Sequence, residues 1–426
     1  MRHFRLLVAG NALSAFGSYL NMVSLNVFIY QLTGSALSVG VFLAVRLLAT
    51  VVAGFVSGAL VSRYDGKRLL MGSDLVQAVA LSGTFLVPGG ARLVAVYAFA
   101  VVTGACSTLS QITLRSSIPE MVGAELRAAA NGLVVTGRSL AMVAGFSSAG
   151  VLTAAFGYSA ALLVDAATFA VSALVLSLLP LRTRADATTE GTTGKGVTEA
   201  PVPTTPALLR ALPVIAAMIA VRAVDGLGSS SHNVALPIHS AALDAAHPAA
   251  FISQFWATWA MGNIVAQQVC GRFTRKTGRA PGERAFALGA CVMSAAFILV
   301  FSGLPTLPAV CAALLAGMAD GFTEIAYVTR LQEAPDQWRG RVFGLSAVAE
   351  NTGFGLGMLV SATLLESYSP LEVVGAFHGL AIALCVALLA WLVPAGRRAS
   401  RPPGAIADTR AADRTVHGSR VEGTSS

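Results

Sequence analysis

Residues 51–68 read VVAGFVSGALVSRYDGKR, the end of an apolar run that opens at Ala36 and stops at the basic cluster Arg63, Lys67 and Arg68. Between Ala36 and Val61 the single charge is Arg46. About 20 apolar residues cross roughly 30 Å of hydrocarbon, and lysine and arginine collect on the cytoplasmic side of such spans. The stretch therefore reads as a membrane helix whose C-terminal end faces the cytoplasm.

The same pattern recurs along the chain. Spans are expected at 5–31, 36–61, 69–88, 93–115, 128–155, 158–180, 208–238, 250–271, 284–303, 308–330, 342–366 and 372–394. All twelve should be helices, because strands with open edges cannot satisfy their backbone in lipid. With the N-terminus inside, 25 of the 29 lysines and arginines fall on the cytoplasmic side, and only Arg92 falls outside. Arg46, Arg138 and Arg222 lie within spans. Both termini are thus expected in the cytoplasm of a multi-pass protein of a bacterial inner membrane. The composition agrees, with 55% hydrophobic and only 12% charged residues, where an average soluble domain carries about 25% charged. The net charge of +8 belongs to topology, so a nucleic-acid partner is not expected. The apolar run after Arg5 is too long for the core of a cleaved signal peptide and reads as the first span. The five cysteines are scattered singly, without metal-ligand or disulfide spacing, and are expected to be buried apolar residues.

A long polar segment, 181–207, separates two halves, 1–180 and 208–394, and a polar tail, 395–426, follows. The segment reads as a flexible cytoplasmic linker and the tail as disordered. The halves repeat. Gly58, at the inner end of span two, has its counterpart in Gly271, at the inner end of span eight, 213 residues on. Arg127, Gly132 and Arg138 match Arg339, Gly344 and Glu350 at an offset of 212. Duplicated units of this kind place a transport site between the halves, near the midplane.

The stretch Gly58, Arg63, Asp65, Gly66, Lys67 and Arg68 resembles the loop signature between helices two and three of the major facilitator superfamily. Leu32–Gly40, Ile118–Val122 with Ala130–Gly132, Asp165–Phe169, Ala334–Asp336 and Arg339–Gly344 resemble the macrolide-efflux and enterobactin-exporter-like branch, which exports drugs and siderophores. The likeness covers the chain to about residue 394. It implies an all-α fold of twelve transmembrane helices in two six-helix pseudo-symmetric halves, with helices one, four, seven and ten around a central cavity. The chain departs from the pattern in three places. The helix-four arginine of many proton-coupled members is absent, Arg115 lying at that helix's inner end. Ser62 stands where the family's loop Asp is expected, and the helix-five antiporter signature is reduced to Gly145–Gly150.

Charges within spans cost about 2.5–3.5 kcal/mol each on insertion scales and mark candidate functional groups. These are Arg46, Arg138, Arg222, Asp225, Asp320, Glu324 and Glu350, with Trp256 and Asn263 on span eight as polar and aromatic cavity candidates. Arg222 and Asp225, three apart, share a helix face and can pair. Asp320 and Glu324, four apart, stack on one face, and carboxylates that close compete for ionisation, as a proton-carrying site requires. By the resemblance, Arg46 and Glu350 face each other at the interface of helices two and eleven, while Arg138 is left free for an anionic group. Asp74 and Asp165, on spans the family places at the periphery, read as structural anchors. The Gly54/Gly58, Gly317/Gly321, Gly353/Gly357 and Gly375/Gly379 pairs permit close helix approach.

Neither a Walker A loop nor a Gly-x-Ser-x-Gly elbow is present, and no cofactor or metal is implied. The expectation is a non-enzymatic, monomeric secondary transporter exporting a small amphipathic compound through alternating access, in exchange for protons. An uptake symporter or facilitator, and a transport-inactive receptor or scaffold, stay open as alternatives.

Overall fold

The computed structural model describes residues 2–122, 127–179, 205–277 and 281–399. Of the expected linker, residues up to 204 lie outside the described residues, and of the expected tail, residues from 400 onward do. Among the described residues the protein is all-helical: α1 (Arg2–Thr33), α2 (Ala36–Arg63), α3 (Gly66–Leu86), α4 (Arg92–Val122), α5 (Arg127–Leu178), α6 (Thr205–Ala211), α7 (Pro213–Leu243), α8 (Pro248–Thr277), α9 (Glu283–Val300), α10 (Thr306–Gln332), α11 (Asp336–Leu364) and α12 (Pro370–Ala399).

The 52 residues of α5 would make a rod of about 78 Å, far longer than a bilayer is thick. Gly157 resolves this, with φ 77° and ψ 172°, a backbone region open in practice only to glycine. It divides α5 into arms 127–156 and 158–178. Along α1, Val8 lies by Gly137 and Ser24 bonds Thr153, so the first arm runs parallel to α1. Gly10 lies by Val175 and Asn21 bonds Asp165, so the second arm runs antiparallel. The arms are thus two antiparallel helices, as expected for spans five and six. The expected seventh span is also subdivided. Pro213 opens α7 at its first turn, where a missing N–H costs nothing, and leaves α6 as a separate short helix.

Local chemistry sets several starts. Ser35 accepts from the Ser38 N–H at the head of α2, and Asp65 accepts from the Arg68 N–H at the head of α3. Lys67 Nζ donates to the carbonyls of Ser177 and Leu179, tying α3 to the end of the second arm of α5. In the loop signature, Asp65 is therefore a helix cap and Lys67 an interhelical tie.

Nine helical stretches are long and apolar enough to cross a membrane among the described residues, one of them the doubled α5. The long helices that fall short are α8 and α11. Both are interface helices: α8 packs on the first arm of α5, and α11 packs on α2. Sheltered from lipid by the opposite bundle, they tolerate amides and carboxylates that a lipid-facing helix would not.

The first bundle comprises α1–α5 and the second α7–α12. They meet near the end that carries the α1–α2, α7–α8 and α11–α12 connections, here termed the hairpin end. There Gly150 packs against Ala250 and Ser253, and Gly40 against Met358 and Ala362. Towards the opposite end, Gly54, Gly271 and Gly344 have no atom of another element within 4 Å of an added Cβ.

Of the four glycine pairs, those on α10 and α11 act as packing devices. Gly317 and Gly321 meet the α8 backbone at Trp259 and Asn263, and Gly353 and Gly357 meet α7 at Ala223 and Leu227. Among the described residues Gly375 and Gly379 meet nothing within 4 Å, which corrects the expectation for that pair. Gly54 likewise meets nothing, while the surroundings of Gly58 lie outside the described residues. A methyl group at Gly353 would overlap the Ala223 carbonyl. Gly353→Ala is accordingly expected to cost about 1–3 kcal/mol by overpacking, read as a lower thermal midpoint in detergent. The cysteines meet expectation only in part: Cys270 and Cys385 are buried, Cys106 and Cys291 are half-buried, and Cys311 is exposed on the helical surface.

Candidate functional site

Carboxylates from three helices converge on one guanidinium. Arg222 on α7 donates from Nη1 to Asp225 Oδ2 at 2.9 Å, one turn along its own helix. Its Nη2 donates to Glu324 Oε2 on α10 at 2.6 Å, and its Nε lies 3.9 Å from Glu350 Oε1 on α11. The planar fork of arginine suits such sharing, since its five N–H groups point in fixed directions. Glu350 also accepts from Ser346 Oγ at 2.9 Å, and Ser346 Oγ lies 2.7 Å from the Tyr327 hydroxyl. The Tyr327 ring sits 5.7 Å from the guanidinium carbon, within cation–π range.

Asp320, one turn before Glu324, accepts from Asn263 Nδ2 at 3.2 Å. Asn263 Oδ1 in turn accepts from Gln267 Nε2 at 2.8 Å. Asp225, Asp320, Glu350 and Arg222 all border one central cavity of about 490 Å³ between the bundles. Its apolar wall is aromatic and drawn from both bundles. Trp256 stacks on Phe146 at 5.6 Å, Phe146 meets Tyr19 edge-on at 5.1 Å, and Trp259 meets Trp256 edge-on at 5.3 Å. Two buried polar atoms on residues of this wall have no partner: Asp225 Oδ1, an acceptor, and Trp259 Nε1, a donor. Such atoms are costly to leave empty.

Two turns beyond Asp225, His232 borders the same cavity. Its Nδ1 lies 3.2 Å from His378 Nε2 on α12, and His378 Nδ1 lies 3.2 Å from Ser294 Oγ on α9. The His232 ring stacks on Phe297 at 4.0 Å. This buried chain was not legible in the sequence, because its members lie 146 and 84 residues apart on three apolar helices.

The expected pairing of Arg46 with Glu350 is not made. Glu350 takes Arg222 as its cation, while Arg46 lines two cavities of its own bundle, one of them shared with Asp165. Arg138 also stays within the first bundle and borders a separate cavity of about 240 Å³. It donates to Tyr19 Oη at 3.0 Å and to Gln111 Oε1 at 2.8 Å, so it does not face the central cavity directly. Tyr19 and Met22 border both cavities and link them. On α8, Trp256 is buried and Asn263 half-buried, whereas Gln254, Gln267 and Gln268 are exposed.

Known proteins agree with this architecture. Among solved structures, the nucleoside transporter NupG superposes with a TM-score of 0.72 at 16% identity, covering 92% of this chain and 100% of that one. A peptide transporter POT in complex with sulfate gives 0.71 at 15% identity, covering 93% and 95%. A bacterial homologue of the iron transporter ferroportin, in an inward-facing state, gives 0.69 at 15% identity, covering 91% and 98%. At these identities the likeness establishes the fold alone. No curated protein sequence matches the chain significantly. The model of the Major Facilitator Superfamily matches residues 7–351, most of the chain, and the protein therefore belongs to that superfamily as a multi-pass membrane transporter.

Proposed function

We propose that the protein is a secondary active exporter that exchanges protons for a small amphipathic compound carrying a basic amine. The observation that carries the reading is the imbalance around Arg222: one guanidinium stands among Asp225, Glu324 and Glu350, with Asp320 beside them on the same cavity. Taking charges out of water is expensive unless each is compensated. A cavity with more carboxylates than cations gains by taking up either protons or an organic cation. Competition between the two for the same oxygens is the elementary requirement of antiport. The aromatic wall supports the organic part of the ligand, since ring faces attract cations and cover apolar surface.

The remaining elements follow from the same reading. The two bundles, 1–180 and 208–394, rock about the cavity as a monomer, joined by the cytoplasmic segment 181–207. The distribution of lysine and arginine supports an inner-membrane protein with both termini in the cytoplasm. The hairpin end then faces outward, and its packed contacts make this an inward-facing arrangement. The outward direction of transport rests on the resemblance of the stretches around Leu32–Gly40 and Asp165–Phe169 to drug and siderophore exporters. Each proton entering down a 100 mV potential supplies about 2.3 kcal/mol, which supports modest accumulation against a gradient.

Reconstituted proteoliposomes test the proposal with a panel of amine-bearing amphipaths. Substrate-dependent proton movement is expected in the wild type and is expected to vanish in Asp225→Asn and Glu350→Gln. Equal flux in wild type and both variants, without proton movement, would indicate a facilitator and sink the coupling. Co-movement of protons and substrate in one direction would indicate a symporter instead.

A further inference from the structure

The first bundle holds a buried polar centre that the central site does not use. Asp165, on the second arm of α5, is 0% exposed, and its Oδ2 accepts from Asn21 Nδ2 on α1 at 2.7 Å. Gly17 of α1 packs directly against Asp165 and Thr168, and any side chain there would displace them. Two oxygens in this pair are left over. Asp165 Oδ1 and Asn21 Oδ1 are both buried and both without a hydrogen-bond partner. Both are acceptors, so neither can satisfy the other while Asp165 is ionised.

Beside the pair lies a void of about 10 Å³, room for one water-sized occupant. Asp165, Asn21, Ser18 and Arg46 border it. Ser18 and Arg46 also border the 240 Å³ cavity of this bundle, which shares Tyr19 and Met22 with the central cavity. Shared lining residues therefore connect Asp165, by way of this bundle's cavity, to the neighbourhood of the central one.

We infer that Asp165 is a proton-binding site of the first bundle, switching between Arg46 when ionised and Asn21 when protonated. In the ionised state the carboxylate faces the Arg46 guanidinium across the void, and opposite charge favours that form. On protonation, a proton from water in the adjoining cavity forms an O–H bond at Asp165 Oδ1. That hydroxyl supplies the donor that the Asn21 carbonyl oxygen lacks, while Asn21 continues to donate to Oδ2. One proton thus satisfies two orphaned acceptors, and its release returns it to the same cavity. The groups that face Asp165 from neighbouring elements are Asn21 on α1, Arg46 on α2 and Asp74 on α3, with Thr168 on its own arm. Asp74 accepts from Ser14 Oγ at 3.3 Å and adds like charge to the site. The inference goes beyond the exchange proposed at Arg222, since it concerns a separate proton site in the other bundle.

Infrared spectroscopy of the purified full chain, labelled with carbon-13 aspartate, reads this site without any transport. The carbonyl stretch of a protonated aspartic acid is expected to appear on acidification and to be missing from Asp165→Asn. In Asn21→Leu the band is expected to remain titratable but to shift in frequency, because the acid loses its amide partner. In Arg46→Gln it is expected to persist to more alkaline pH, because the competing cation is gone. The last two variants keep the native Asp165, so the proposal stays testable even if Asp165→Asn does not fold. An Asp165 acid band present unchanged at every pH would mark a fixed structural acid and overturn the switch. A wild-type spectrum with no band attributable to Asp165 at any pH would overturn it as well. Loss of coupling in Asp225→Asn with an unaltered Asp165 band, or the converse, separates this site from the one at Arg222.

Discussion

Arg222→Leu is expected to abolish substrate-driven proton movement and to destabilise the folded protein by about 3–5 kcal/mol, the cost of removing one partner from a buried ion pair. The size of the effect follows from how many groups depend on this one side chain. Asp225, whose second oxygen is already orphaned, and Glu324 lose the cation they hydrogen-bond, and Glu350 loses the cation 3.9 Å from it. α7, α10 and α11 then present like charges to one another inside the bundle. Proteoliposome flux measures the first effect, and thermal unfolding in detergent the second. The double variant Arg222→Leu/Asp225→Asn is expected to recover part of the stability without recovering coupling, since it removes the stranded charge but not the loss of function. A stable and fully coupled Arg222→Leu protein would remove the cluster from the mechanism.

A covalent link between the α2 head and the α11–α12 connection is expected to stop transport completely. Glu366 Oε1 accepts from Ser35 Oγ at 2.8 Å and from the Leu37 N–H at 2.9 Å, joining the two bundles at the hairpin end. A carboxylate at the start of a 28-residue helix is well placed against the helix dipole. If the bundles rock, this contact must break once per cycle. A Ser35→Cys/Glu366→Cys pair, bridged by a short cleavable reagent in a background without the native cysteines, should therefore lose all flux and regain it on cleavage. Each single variant should stay active, and full flux in the bridged protein would rule out opening at that end. The contact also has a defined pH response. The Leu37 N–H, followed by the Ser35 hydroxyl, holds the Glu366 carboxyl below its usual range. A depressed folded value means that the stabilisation is present above the ordinary value and is lost as pH falls through the depressed one. Closure at this end should thus persist at mildly acidic pH, which keeps it independent of the proton exchange proposed inside the bundle.

Some of the site was legible before any coordinates. Arg222 and Asp225 stand three apart, and helical spacing alone puts them on one face, where they pair. Asp320 and Glu324 stand four apart, and both reach the neighbourhood of Arg222 for the same reason. Partners on different helices were not legible. Glu350 was expected to meet Arg46 because helices two and eleven adjoin, and they do adjoin. Adjacency of helices does not fix which way a long side chain turns, and Arg46 borders the void it shares with Asp165. Asp165 looked peripheral for the same reason: the sequence says that it lies in a span but not that α1 lies against it.

The sequence by itself determined that this chain crosses the membrane many times and that its halves repeat. Both are one-dimensional properties, carried by apolar run length, by the side on which lysine and arginine collect, and by a constant offset. Only the tertiary structure decided which buried charges share a cation, which glycines bring helices together, and where the two histidines meet. Those depend on helix rotation about the long axis and on interaxial distance. In a bilayer both are set by packing between helices rather than by contrast with water, so hydrophobic pattern leaves little trace of them.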